Sequence, residues 1–291
     1  MIRYLKRDQI DEVKYNNCIK SSLNSRIYAY SWYLDIVADN WDILVLDDYK
    51  AVMPLPWRSK YFIKYIYPPP WTQQLGVFSS EEISESLVLS FINTIPKKFK
   101  KITIQFNSGN NLNLVNSEKR VNYILPLNKT YKELYKDFRR DRKNRIGQAE
   151  KKHLIFKETS FKEILEIAKT EYQFLKVSDS YYKKLEKLFE ILLCKKNGIL
   201  LGVYNEKKEL LCGTILLLDT HRLVYLFSVS SKKGKENQAA SFLINEVMKK
   251  YAQNNLAFDF EGSMIGGIAD FYKSFGARVE YYSLFKKKII I

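Results

Sequence analysis

Sulfur and imidazole are scarce in this chain of 291 residues, which has three cysteines and two histidines. Cys18, Cys194 and Cys212 stand far apart with no CxxC among them, so neither a zinc site nor a disulfide framework is expected. Glycine (11) and proline (7) are also few, which excludes collagen-like and low-complexity architectures. No GxGxxG follows a strand and no GxxxxGKS or GxxxxGKT occurs, so dinucleotide and phosphate-loop folds lack support. Long apolar runs are missing as well. ILLLDTHRLVYLF is interrupted by Asp219, His221 and Arg222, and no segment reaches the ~18 apolar residues of a membrane span. The opening MIRYLKRDQIDEVKY has no apolar signal core. These absences lead us to expect a reduced, cytoplasmic, soluble protein with no transmembrane segment.

What the chain does hold is apolar and basic. Hydrophobic residues make up 46%, with 21 Tyr and 17 Phe, a globular composition. The length suits two domains of about 130–160 residues each. The formal net charge of +16 favours an anionic partner: nucleic acid, a phosphorylated cofactor, an anionic lipid or a nucleotide-sugar. A solvated lysine surface would give the same number. Basic residues concentrate at Lys97, Lys98, Lys100 and Lys101, and again from Lys129 to Lys152.

Hydrophobic patterning supplies the elements. The first half opens with helical material over residues 7–22 and a helix around YAYSWYLDIVA. WDILVLDD and YKAVMPLPW read as a hairpin turning at Asp47-Asp48. YFIKYIYPPP is a strand stopped by its prolines, 81–95 an amphipathic helix ended by Pro96, and KKITIQFN and VNYILPL are strands. A second unit starts near Asn128, giving domains 1–127 and 128–291. Its first helix carries Tyr131, Leu134/Tyr135, Phe138, Arg142, Ile146 and Ala149 at three- and four-residue steps. From HLIFKET onward the order is strand, two helices, three strands, helix, strand, short helix, strand. Such alternation implies a mixed α/β sheet with helices on its faces.

The last third carries a resemblance. YLFSVSS, then AASFLINEVMKKYA, then FDFEG and GIADFYKSFGA resemble the second domain of the Fem (FemABX) peptidyltransferases and of related tandem-GNAT acyltransferases. The upstream FRRDRKNRIGQAEKKHLIFKE resembles the Arg-rich helix that opens the same domain. The resemblance implies an α/β fold of two GNAT-like (acyl-CoA N-acyltransferase) domains in tandem, an active site between the halves, and acyl transfer onto an amine. The donor is acyl-CoA in GNAT enzymes and aminoacyl-tRNA in Fem proteins, where the acceptor is a cell-wall precursor peptide. Neither uses a metal or redox cofactor. Fem proteins tend to carry a Phe-Lys pair at the start of the last short helix; here that position is Tyr272, with Lys273 next. GNAT enzymes often hold a Tyr four residues before the Gly of this motif, and Tyr272 stands at that spacing from Gly276. The glycine-rich turn that offers N–H groups to a CoA pyrophosphate is replaced by SKKGKENQAA, with Gly234 alone.

Amide formation from an activated ester needs a neutral amine, a polarised carbonyl and protonation of the leaving group. Tyr272, with an ordinary phenol pKa of ~10, suits the third role, unless it is a packing residue. Lys273 suits a developing oxyanion or a phosphate, or is a solvated helix lysine. Asp259 and Glu261, two residues apart on one strand, share a face; Glu261 is the candidate proton acceptor and Asp259 is the more structural of the pair. Ser228 and Val229 end the strand whose splay would hold the acyl carbonyl. Arg142 falls on the apolar stripe of its helix and needs a partner, while Arg139, Arg140 and Arg145 would complete an anion-binding surface for the donor, unless they form a solvated basic face. In the first half, the stiff loop YPPPWTQQLG presents Trp71, Gln73 and Gln74, with Tyr28, Tyr30, Trp32 and Arg58 as neighbours, for a small-molecule or peptide amine acceptor, unless the loop packs at the domain interface. An N-acyltransferase using acyl-CoA is the first expectation and a Fem-type aminoacyl transferase the second. A non-catalytic nucleic-acid-binding protein on a GNAT scaffold is the third, though aromatics interleaved with Lys/Arg on a strand face are missing.

Overall fold

Two apolar strands and a tight turn begin the first half. β1 (Ile2–Leu5) pairs antiparallel with β2 (Asn40–Leu46) after α1 (Glu12–Ser21) and α2 (Ser31–Val37). β2 and β3 (Ala51–Lys60) form the expected hairpin, whose turn puts Asp47 and Tyr49 at positive φ. β4 (Ile63–Ile66) follows β3 through Tyr61 and Phe62 alone, with φ of 49° and 63°. A two-residue hairpin loop with both φ positive is the type I′ arrangement, which favours Asn-Gly. In Tyr and Phe the left-handed backbone costs roughly 1–2 kcal/mol per residue. The prolines at 68–70 then stop β4 as expected. After β5 (Phe78–Ser79), Ser84 caps α3 (Glu85–Thr94) by accepting from the Leu87 N–H at 3.2 Å. β6 (Phe99–Phe106) turns Phe99, Ile102, Ile104 and Phe106 into a core shared with Met53, Leu55, Phe91 and Phe285.

The structure, a computed structural model, describes residues 1–110, 112, 117–171, 179–262 and 264–288. The end of the helix expected to reach residue 175, part of the loop before VNYILPL, Ser263 and the closing residues 289–291 lie outside the described residues.

The second half comprises β7 (Ser117–Pro126), α4 (Tyr131–Lys136), α5 (Arg140–Glu150), β8 (Ile155–Glu158), α6 (Phe161–Glu171) and α7 (Asp179–Cys194). It continues with β9 (Gly198–Tyr204), β10 (Leu210–Leu218), β11 (Arg222–Ser230), α8 (Lys232–Glu236), α9 (Ala239–Tyr251), β12 (Ala257–Asp259), α10 (Gly266–Lys273) and β13 (Arg278–Lys288). The element order expected from His153 onward is the order found, with α8 added as one extra turn. The chain divides into two compact units, Met1–Val121 with Glu280–Ile291, and Asn122–Val279. Set against the boundary expected at 127/128, the change falls earlier, within β7. The closing strand returns to the first unit, because β13 pairs with β6 from Ser283↔Phe106 to Lys288↔Lys101.

The first unit's sheet runs β1-β2-β3-β4-β6-β13, antiparallel except at β4–β6. The second unit's runs β7-β12-β11-β10-β9-β8, antiparallel except at β11–β12. α9 lays Phe242, Leu243, Ile244, Val247 and Met248 into the core of the second unit.

The helix expected to run on from Tyr131 is two helices. α4 carries a capping box of Thr130 and Glu133 and stops at Asp137, and α5 restarts with Arg139 at its N-cap. Between them Phe138 is buried against Phe275, and the Arg139 N–H donates to the Ser274 carbonyl at 2.9 Å. Gly276, at φ +78°, makes the approach possible: a Cβ there would lie 3.0 Å from the Asp137 side chain. The break is thus imposed by a turn far along the sequence, which no local pattern announces.

Candidate functional site

The site grows out of an interrupted ladder. β11 and β12 are paired in parallel at three positions only, Arg222–Val224 with Ala257–Asp259. On its other side β11 stays paired with β10 as far as Ser230, through a bulge: Ile215 faces Phe227 and Leu216 faces Tyr225, so Leu226 is the extra residue. Beyond Val224, therefore, β11 continues without β12 beside it. A cavity of about 670 Å³ opens there, within the range of ligand sites. Its walls are Tyr225–Ser230 of β11, Phe260, Glu261 and Gly262 of the turn after β12, and Gly267, Ile268, Phe271 and Tyr272 of α10, with Lys235 at one side.

Tyr272 sits in an aromatic nest. Its ring centroid lies 4.7 Å from that of Phe260, 6.2 Å from Tyr123 and 6.4 Å from Tyr225, the last edge-on at 88°. Rings on three sides fix both χ angles, so the position of the hydroxyl is set by packing.

Glu261 does not share a strand face with Asp259. β12 ends at Asp259, Phe258 and Phe260 are both buried, and Glu261 and Gly262 turn through φ of 59° and 58°. This corrects the strand-face expectation: the left-handed turn re-aims Glu261 into the cavity wall. A buried network holds that turn. Asp259 accepts from Arg222 (2.6 Å), from the Asn122 amide (2.9 Å) and from the Glu261 backbone N–H (2.9 Å). The Asp259 side chain is 2% exposed and that of Arg222 11%. A carboxylate so engaged acts on the site through the backbone of Glu261. Lys273 is exposed, with its ammonium 5.6 Å from the Tyr123 ring, and is outside the cavity wall.

Of the residues expected to bind a donor, Ser228 and Val229 line the cavity, and Ser228 Oγ donates to the Gly213 carbonyl at 3.3 Å. The arginines are dispersed. Arg142 is buried, donating to Ser274 Oγ (2.8 Å) and to Ser241 Oγ, with its guanidinium 4.3 Å from the Phe271 ring centre. Burial first, and then neighbouring Arg145, push its pKa down to about 10, so it stays charged at neutral pH. Arg139 forks onto Asp270 at 2.7 and 2.8 Å, and Arg145 donates to Gln238 at 3.2 Å. None of the three lines the cavity, and together they fasten α5 to α10 and α9.

Lys235 is the charged cavity residue that sequence reasoning missed, although it stood in the lysine-rich turn already singled out. Glu171 bonds to it at 2.6 Å and accepts the Lys232 N–H at 3.0 Å. Gly234 is needed for packing: a Cβ there would stand 2.0 Å from the Leu211 carbonyl oxygen. A protein carboxylate and the β10 backbone thus already engage the turn where a CoA pyrophosphate would be sought.

The residues assigned to the acceptor belong to the first unit. Tyr30 and Trp32 stack at 5.8 Å, Trp32 meets Tyr33 edge-on, and the Tyr33 hydroxyl donates to the Trp71 carbonyl. Gln74 is buried; its amide donates to Gln73 at 2.7 Å and its oxygen accepts the Ser108 N–H at 3.2 Å. Arg58 lies 3.7 Å over the Tyr67 ring and within 3.8 Å of Asp39. Burial pushes the Cys18 and Cys212 thiols up to about 11, so neither supplies a thiolate nucleophile at neutral pH. Among the described residues no group of three or more His, Cys, Asp or Glu could hold a metal ion, and no helix is long and apolar enough to cross a membrane.

No protein-family model matches the sequence, and no curated protein matches it. Solved structures do. The chain is similar to FemX, with a TM-score of 0.71 at 13% identity over 97% of this chain and 96% of that one. It is similar to a conserved protein of unknown function from Bacteroides thetaiotaomicron, with a TM-score of 0.65 at 10% identity over 99% and 100% of the two chains. L-PGS from Bacillus licheniformis matches with a TM-score of 0.54 at 11% identity over 94% and 91%. The likeness is one of fold. It bears out the expected class, a mixed α/β protein of two GNAT-like domains in tandem.

Proposed function

We propose that the protein is an N-acyltransferase that joins an acyl group from an activated ester to an amine, with its chemistry in the β11–α10 cavity. One observation carries this: the cavity gathers the β11 strand edge, a carboxylate and a phenol on the three sides that amide formation requires. The amine attacks the acyl carbon and its lone pair forms the C–N bond. Glu261 takes the proton that the attacking nitrogen sheds. The carbonyl oxygen gathers negative charge against the backbone of β11 around Ser228 and Val229. On collapse the bond to the leaving group breaks, and Tyr272 donates its proton to that group. Asp259 acts as a positioning residue by fixing the Glu261 turn.

For the donor we infer an aminoacyl ester carried on tRNA in preference to acyl-CoA. The engagement of the β11–α8 turn by Glu171 and the packing of Gly234 on Leu211 favour that choice, as does the net charge of +16. Saturating aminoacyl-tRNA should raise the melting temperature, since a ligand at a hundred times its Kd adds about 2.7 kcal/mol to native stability. Acetyl-CoA should leave it unchanged. The reverse pattern would return the donor to acyl-CoA, and failure of labelled acyl groups from either donor to reach an amine would dismiss the transferase reading.

A further inference from the structure

The β3–β4 hairpin of the first unit ends in a feature that the fold does not need. Tyr61, Phe62 and Ile63 follow one another at its tip, with relative exposures of 83%, 103% and 51%. A sequence selected for the turn alone would place Asn-Gly at the two left-handed positions, and would keep such rings out of water. Lys60 and Lys64 flank the tip, with their ammonium groups 5.3 Å from the Tyr61 ring and 4.7 Å from the Trp57 ring. Lys64 is paired in the ladder with Phe99, over whose ring the Lys98 ammonium sits at 5.0 Å. The Lys98 ammonium is turned away from the tip, donating to the Tyr4 hydroxyl at 2.6 Å. From Tyr49 to Ser80 the sequence holds no acidic residue.

We propose that this hairpin is a membrane-surface anchor: its tip inserts Tyr61 and Phe62 at the interface of an anionic phospholipid bilayer, and Lys60 and Lys64 meet the headgroups. Aromatic rings with a polar edge settle at the headgroup level of a bilayer, and lysines near an anionic surface add attraction that fades with salt. Aromatics that bind single-stranded nucleic acid by stacking lie along a basic groove that tracks the backbone. Here they project from the end of a turn, which suits insertion into a soft surface.

Co-sedimentation with vesicles tests the anchor. The wild-type chain should sediment with equimolar phosphatidylcholine/phosphatidylglycerol vesicles, remain in the supernatant with pure phosphatidylcholine, and be released by high salt. The double variant Y61N/F62G installs the residues that a type I′ turn prefers, so its melting temperature should equal or exceed that of the wild type. Its affinity for the anionic vesicles should nonetheless fall at least about tenfold, the order expected for withdrawing one aromatic side chain from an apolar phase. Failure of the wild type to bind anionic vesicles, or equal binding by the double variant, would overturn the proposal. So would a fluorescent oligonucleotide whose binding the double variant weakens while the vesicles capture neither protein.

Discussion

Tyr272→Phe should lower turnover by roughly two to four orders of magnitude, the range that one positioned proton donor contributes, while donor affinity stays within about twofold. The packing argues for so clean a separation. Phe260, Tyr123 and Tyr225 surround the ring, and phenylalanine fills the same space without changing any ring contact. The loss should shrink with donors whose leaving group is already a weak base, because these need the least protonation. Single-turnover transfer measured across donors of differing leaving-group pKa reads both effects. Unchanged turnover would remove Tyr272 from the chemistry, and a parallel loss of donor affinity would make it a binding residue.

Asp259→Asn should destabilise the second unit by about 1.5–3 kcal/mol, the usual worth of a hydrogen bond to a charged group. The Arg222 guanidinium would keep its charge and its 11% exposure while losing the carboxylate at 2.6 Å. A urea titration followed by tryptophan fluorescence or circular dichroism reads the shift as a lower midpoint. Replacing both partners, as Asp259→Leu with Arg222→Met, should recover only part of that stability: the ion pair is removed whole, but the Asn122 amide and the Glu261 N–H lose the oxygen they donate to. The double variant should still be a poor catalyst, since the Glu261 N–H loses the oxygen that fixes its turn. Full activity in it would show that the turn holds itself.

Patterns confined to a few neighbouring residues were legible in the sequence. The strand meander β9–β10–β11, the helix α9 and the hairpin at Asp47 all follow from side chains repeating every second or every third and fourth residue. Tyr272 was singled out through the resemblance, by its spacing from Gly276, but its packing against Tyr225 of β11 was not legible. What escaped was set by distant contacts. The split between α4 and α5 depends on Gly276 and Ser274. The aim of Glu261 depends on Asn122 and Arg222 holding Asp259. Arg142 could be read as buried from its stripe, but not that two serines and two phenylalanine rings would receive it. Lys235 hid in a run of lysines, which by itself looks like any solvated surface.

The pairing of β13 with β6 has a consequence for how the molecule is made. Phe106 leaves the ribosome long before its ladder partner Ser283, and Ile104 long before Phe285. The intervening stretch holds the whole second unit, whose strands and helices are contiguous from Asn122 to Val279. During synthesis, then, the domain whose chain begins first is completed last. Until the final strand arrives, the first unit waits with β6 as an open edge. Pairing β13 with β6 closes a loop that spans the whole second unit, an inversion of the usual N-terminal-first order.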